Sequence, residues 1–156
     1  MMNPLSILRH QPAARAVVRG GTVSGEVRFF PTEKGVLVSA EMRGLPHSGQ
    51  VCQSGVFALH IHIGRCPADH PGDPSAHVEG HYNPHDCPHP YHAGDLPPLF
   101  AARDGYAFLA VLTDRFTLPE IIGKAVVIHA GRDDFTTQPS GDPGILIACG
   151  EIRPMA

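Results

Sequence analysis

No basic run in this chain of 156 residues is long enough to track a phosphate backbone. Twelve Lys and Arg stand against fifteen Asp and Glu, for a formal charge of −3, so nucleic acid is not an expected partner. Long apolar runs are missing as well. The stretch from Ala107 to Leu112 is among the longest, far short of the about 20 residues a membrane span needs, so no membrane partner is expected. The start of the chain has only Leu5 to Leu8 as an apolar patch before Arg9 and His10, which is not the apolar segment of a secretory signal. Cytoplasm is therefore the expected location, with export by another route left open. No segment carries a sustained helical period, and there is neither an internal repeat nor a low-complexity tract. Proline and glycine are plentiful, at 16 and 17, yet together stay under the roughly 25–30% typical of disordered chains. One folded domain is expected over residues 16–156, behind a flexible lead-in at 1–15.

What the chain does have is histidine. Eight of its eleven imidazoles, His60, His62, His70, His77, His81, His85, His89 and His92, fall within residues 60–92, where even scatter would place about two. The surrounding pattern is β-prone: short runs at 16–19, 22–30, 36–42, 55–63, 106–112, 124–129 and 145–152 are set off by Gly and Pro. Seven or eight such strands predict an all-β fold, an eight-stranded Greek-key barrel or immunoglobulin-like sandwich. Residues 32–35 read as the turn of a hairpin. The connections 64–104 and 130–144 are too long to be mere turns, and connections of that length are usually functional.

Three segments carry chemistry. In Leu59-His60-Ile61-His62-Ile63 the two-residue period of a strand puts both imidazoles on one face and Leu59, Ile61 and Ile63 on the other. Alone, this also describes a polar strand face with hydrogen-bonded histidines. His81, His89, His92 and Asp95 follow, three imidazoles and a carboxylate, which is a closed tetrahedral donor set for zinc. A solvated His-rich loop without a defined site is the competing description. Cys87-Pro88-His89-Pro90-Tyr91-His92 could instead contribute a thiolate. The third segment is a β-branched strand ending in His129, followed by Arg132, Asp133 and Asp134.

Taken in order, Leu59-His60-Ile61-His62, Gly80-His81-Tyr82-Asn83-Pro84, His92-Ala93-Gly94-Asp95-Leu96-Pro97, Val127-Ile128-His129 with Asp133-Asp134, and Ile147-Ala148-Cys149-Gly150-Glu151-Ile152 resemble the copper–zinc superoxide dismutases, most closely their bacterial branch, over about residues 16–153. The resemblance implies copper held by His60, His62, His81 and His129, zinc held by His81, His89, His92 and Asp95, and His81 shared as a bridging imidazolate. It implies that Asp133 joins the imidazoles of His60 and His89, and that Cys66 and Cys149 form a disulfide. Cys52 and Cys87 have no counterpart in better-known members and are expected to form a second disulfide or to remain buried thiols. The implied reaction is disproportionation of superoxide to dioxygen and hydrogen peroxide, with superoxide as the substrate. Four imidazoles suit Cu(II), whereas zinc cannot change valence.

In one place the chain departs from the family. Where members usually carry an arginine that draws superoxide to copper, this sequence has Leu146. Arg132, Arg103 or Lys124 would have to compensate, and Arg132, three residues after His129, is the first choice for anion guidance. The same departure supports a second reading, a copper- and zinc-binding buffering or delivery protein with weak or lost dismutase activity. An adhesion module with incidental histidines and a hydrolytic zinc enzyme are further alternatives. The sequence leaves the oligomeric state open, a homodimer being admissible.

Overall fold

The computed structural model describes residues 3–52 and 55–156. Met1 and Met2, the first residues of the expected lead-in, lie outside them. Nine strands form: β1 (Ala14–Gly20), β2 (Val23–Thr32), β3 (Gly35–Arg43), β4 (Val56–Phe57), β5 (Leu59–His62), β6 (Leu99–Phe100), β7 (Ala107–Thr113), β8 (Ala125–His129) and β9 (Leu146–Pro154). Every run expected from the sequence becomes strand to within two residues at its ends. β1 shows why: Ala14, Ala16, Val18 and Gly20 are buried and the residues between them exposed, the alternation of a half-buried strand.

Seven strands pair in the order β5-β8-β9-β1-β2-β3-β7, and β4 pairs with β6. β3 thus bonds to β7 across the intervening elements, the non-sequential pairing of a Greek key. β4 leads directly into β5 while β6 packs against β7, so the small pair spans the gap between the two ends of the curled large sheet. The expected hairpin is present, with Thr32 opposite Gly35. Inside lie Val18, Val27, Phe29, Val38, Met42, Leu59, Ile61, Leu99, Ile121, Ile128 and Ile152, among others.

Three expectations about the secondary elements need correction. The single strand read at 55–63 is broken at Ala58, whose N–H donates to Gly131 O and whose carbonyl accepts from His129 N. Two one-turn helices occur where none was expected: α1 (Pro4–Ile7), capped by Asn3, and α2 (Leu118–Ile121), closed by a capping box of Thr117 and Glu120. One turn is too short to leave a periodic signal. Ile63 does not join Leu59 and Ile61 in the core but is half-exposed just past the end of β5. Among the described residues, no helix is long and apolar enough to cross a membrane.

A second small cluster, Val78, Ala125, Val127, Leu146 and Cys149, lies on the other face of β8 and β9 with Cys66 and Ala76 packed on it. The Cys66–Cys149 disulfide ties the loop after β5 to β9 above this cluster. Leu146 belongs to the cluster and is 4% exposed. Cys52 and Cys87 are both free, so the second disulfide is absent, and neither is fully buried. Cys52 sits in an exposed turn, while Asn83 binds both the Cys87 N–H and its carbonyl and holds that residue in another loop.

Candidate metal centre

Leu59 and Ile61 point into the barrel, which turns His60 and His62 to its outer face. Both are nevertheless buried, because the long loops cover that face. The strand edge of β5 not used by β8 is taken by two pieces of the loop 64–98. Ile63 N donates to Gly80 O and Tyr82 N to Ile61 O, which brings His81 opposite His62; Ile61 N donates to Gly94 O, which brings Asp95 opposite His60. Gly94 has to be glycine, since a Cβ there would lie 2.4 Å from Ile61 O. On the other side, the register of β8 against β9 shifts between Ile128 and His129, a bulge of the kind that re-aims a side chain.

The result is two adjoining groups of donor atoms. His60, His62 and His129 place ligand atoms within 4.8 Å of one another, and so do His60, His81, His89 and Asp95. His92 adjoins the second group, its Nδ1 lying 3.1 Å from His81 Nδ1 and 3.3 Å from Asp95 Oδ2. His81 Nδ1 is 2.8 Å from Asp95 Oδ1, and His89 Nδ1 is 3.1 Å from Asp95 Oδ2. Donors around a four-coordinate zinc stand about 3.3 Å apart, given bonds near 2.0–2.1 Å. These separations are slightly tighter.

Hydrogen bonds decide which nitrogen of each ring is left to bind. A carbonyl can only accept, so His62 Nδ1–H donates to Glu79 O at 2.7 Å and His129 Nδ1–H to Gly144 O at 3.0 Å. Both Nε2 lone pairs are then free, and they stand 3.4 Å apart. Asp133 accepts from His60 Nε2 at 2.8 Å and from His89 Nε2 at 2.7 Å, which leaves both Nδ1 atoms bare. One carboxylate therefore orients a ring of each group. His60 Nδ1, His81 Nε2, His89 Nδ1 and Asp95 Oδ1 are buried without any hydrogen-bond partner. Such orphaned atoms are costly in a dry interior. Asp95 Oδ1 lies at hydrogen-bond length from His81 without the alignment of a hydrogen bond, as lone pairs converging on a cation do. The residues fit two metal ions, and the His81 ring stands between the groups, its centre 4.0 Å from that of His60 and 4.8 Å from that of His62 while its Nδ1 lies beside His92 and Asp95.

Burial, followed by the neighbouring imidazole of His81, pushes His60 down to about 2. Burial also pushes His62 down to about 3 against the opposing pull of the Glu79 carbonyl, and lowers His92 and His129. The rings are held neutral, as ligands must be. Unfolded imidazoles titrate near about 6.5, so below that pH the unfolded chain takes up more protons than the folded one and stability falls with falling pH. Calorimetry of the metal-free, disulfide-intact protein should show Tm dropping by at least about 5 °C between pH 7 and pH 5. A flat profile would mean that these rings are solvated.

Several supporting groups had no signature in the sequence. The carbonyls of Glu79 and Gly144 are backbone, present at every residue. Gly141 has φ +82, and a Cβ there would meet Asp133 Oδ1 at 2.0 Å and His89 Nε2 at 2.7 Å. Gly141→Ala should displace the Asp133 carboxylate and weaken zinc binding about 10–100-fold in a chelator competition; native affinity would show that Asp133 does not orient His89. The remaining histidines, His10, His47, His70, His77 and His85, are exposed. Cys87 is absent from both donor groups, and the carboxylate of Asp95 is present in the second. Arg132 is exposed and makes no hydrogen bond or ion pair with the described residues, whereas Lys124 lies 4.8 Å from the centre of the Tyr82 ring.

Comparison with known proteins agrees with this geometry. The family model described as copper/zinc superoxide dismutase (SODC) matches residues 23–152. A copper–zinc superoxide dismutase of Deinococcus radiodurans is 34% identical over 164 residues, covering 92% of this chain and 85% of that one. That of Escherichia coli K12 is 36% identical over 146 residues, covering 85% and 80%. Among solved structures, one titled as the crystal structure of the clock protein EA4 superposes with a TM-score of 0.73 at 28% identity, covering 94% of this chain and 97% of that one.

Proposed function

The chain belongs to the copper/zinc superoxide dismutase family, and on that premise we propose that it disproportionates superoxide, two anions and two protons giving one dioxygen and one hydrogen peroxide. Copper would be held by His60 Nδ1 and by the Nε2 atoms of His62, His81 and His129, and zinc by the Nδ1 atoms of His81, His89 and His92 with Asp95. When bound, copper supplies the valence change that exchanges electrons with superoxide, and zinc polarises the shared ring. The observation that carries this reading is His81, whose Nδ1 faces His92 and Asp95 while its buried Nε2 has no partner.

The residues of the chain have separate tasks. Glu79 and Gly144 keep the His62 and His129 rings in the tautomer that leaves Nε2 bare, and Asp133 does the same for Nδ1 of His60 and His89. His81 Nε2 is the atom placed to take up a proton and return it to the product. His60 is fully buried, whereas His62, His81 and His129 are 5%, 6% and 9% exposed, so the anion would reach the site past these three rings and not past His60.

Purified protein of verified copper and zinc content should suppress cytochrome c reduction driven by xanthine oxidase, and a His60→Ala control should not. A fully metallated protein without this activity would leave metal buffering as its role.

We assign guidance of the anion to Arg132, because Leu146 is buried and apolar and Arg132, just past His129, is exposed with no ion-pair partner among the described residues. A cation at the mouth of a site raises the encounter rate of an anion in a salt-dependent way. Arg132→Ala should lower the second-order rate about 2–10-fold at low salt and flatten its dependence on ionic strength. An unchanged rate and slope remove Arg132 from the mechanism.

A further inference from the structure

His89 lies outside every strand and helix, and among the described residues no backbone group bonds to its amide or carbonyl. One side chain takes both places. His89 N–H donates to Gln138 Oε1 at 2.8 Å, and Gln138 Nε2 donates to His89 O at 2.8 Å. This pair imitates a rung of a β ladder across 49 residues of sequence. Gln138 Nε2 also donates to Thr136 O at 3.2 Å, which fixes the amide with its carbonyl toward the His89 N–H.

The other donors of the second group are held differently. His81 and Asp95 sit against β5, and Arg115 binds the carbonyls of Pro90 and His92. Of the four proposed zinc donors, His89 is the one that, among the described residues, is held by the loop 130–144, through Asp133 at its ring and Gln138 at its backbone. Asp133 sets the rotation of the ring. Among the described residues only Gln138 hydrogen-bonds the His89 backbone itself, so it ties the Cα to the loop 130–144, and the placement of Nδ1 draws on both.

We propose that Gln138 is a positioning residue for the zinc half of the centre, acting through the backbone of His89 to set how firmly that ion is retained. This rests on the zinc assignment made above. The test is the rate at which zinc passes from the copper- and zinc-loaded protein to the chromogenic chelator 4-(2-pyridylazo)resorcinol, with copper followed in parallel by paramagnetic resonance.

Gln138→Ala should release zinc about tenfold faster, the lower end of what loss of a ligand's support typically does, with copper retained. Gln138→Glu keeps the size and the acceptor for His89 N–H but sets an oxygen against the His89 carbonyl. It too should release zinc faster than the native protein, whereas a role in filling space would leave it at the native rate. Native rates in either variant, or equal loss of both metals together with a lowered Tm of the metal-free protein, overturn the proposal. Native protein that holds no zinc overturns the metal assignment and this inference together; native protein that holds zinc, with variants that release it normally, overturns only this inference.

Discussion

Replacing His81 by alanine is expected to lower superoxide dismutation by at least about 100-fold in protein of verified copper and zinc content, since a placed proton donor alone is typically worth 10²–10⁴. The expectation follows from the two ends of one ring. Nδ1 stands 2.8 Å from Asp95 and 3.1 Å from His92 Nδ1, Nε2 is buried and unpaired, and the ring centre of His60 is 4.0 Å away. Among the described residues the rings of His60, His62, His89 and His129 cannot do the same, because Asp133, Glu79 and Gly144 each engage one of their nitrogens. Stopped-flow decay of superoxide checks this. Activity within about threefold of native would show that the ring is a spacer and that protons reach the product from solvent.

Cys149→Ser should cost the metal-free protein about 4 kcal/mol by the chain-entropy account, because the Cys66–Cys149 bond closes a loop with a sequence separation of 83. For a domain of this size that corresponds to a fall in Tm of roughly 10 °C in calorimetry. The bond also clamps the loop over Val78, Ala125, Val127 and Leu146. Loss of the bond therefore frees that cover as well as enlarging the unfolded ensemble. A fall of less than about 3 °C would mean that the apolar cluster holds the loop by itself.

The strands were legible in the sequence because half-burial writes itself as alternation. The run read at 16–19 extends in the structure to Ala14–Gly20 with Ala14, Ala16 and Val18 buried, and the same period set His60 and His62 apart from Leu59 and Ile61. The break at Ala58 was not legible, since Gly131 and His129, which bind it, lie about 70 residues away. Ile63 failed for a similar reason: β5 ends at His62, and alternation says nothing about where a strand stops. Cys52 and Cys87 had the composition of a pair, but Cys52 lies in an exposed turn while Asn83 holds Cys87 in another loop.

The donor set belongs to the sequence. Imidazoles two apart on a strand, three more with a carboxylate in a loop, and one at a strand end supply the atoms for two metal ions, whatever the fold does with the remaining residues. Only the tertiary structure chose among those atoms. Each neutral imidazole has two nitrogens, and which one is bare depends on a carbonyl or carboxylate brought from a distant segment: Glu79, Gly144, and Asp133 with both of its oxygens. The space left by Gly141 and the grip of Gln138 belong to the same category. A hydrogen bond is fixed by distance and direction between groups far apart in the chain, and no pattern of residue types encodes it.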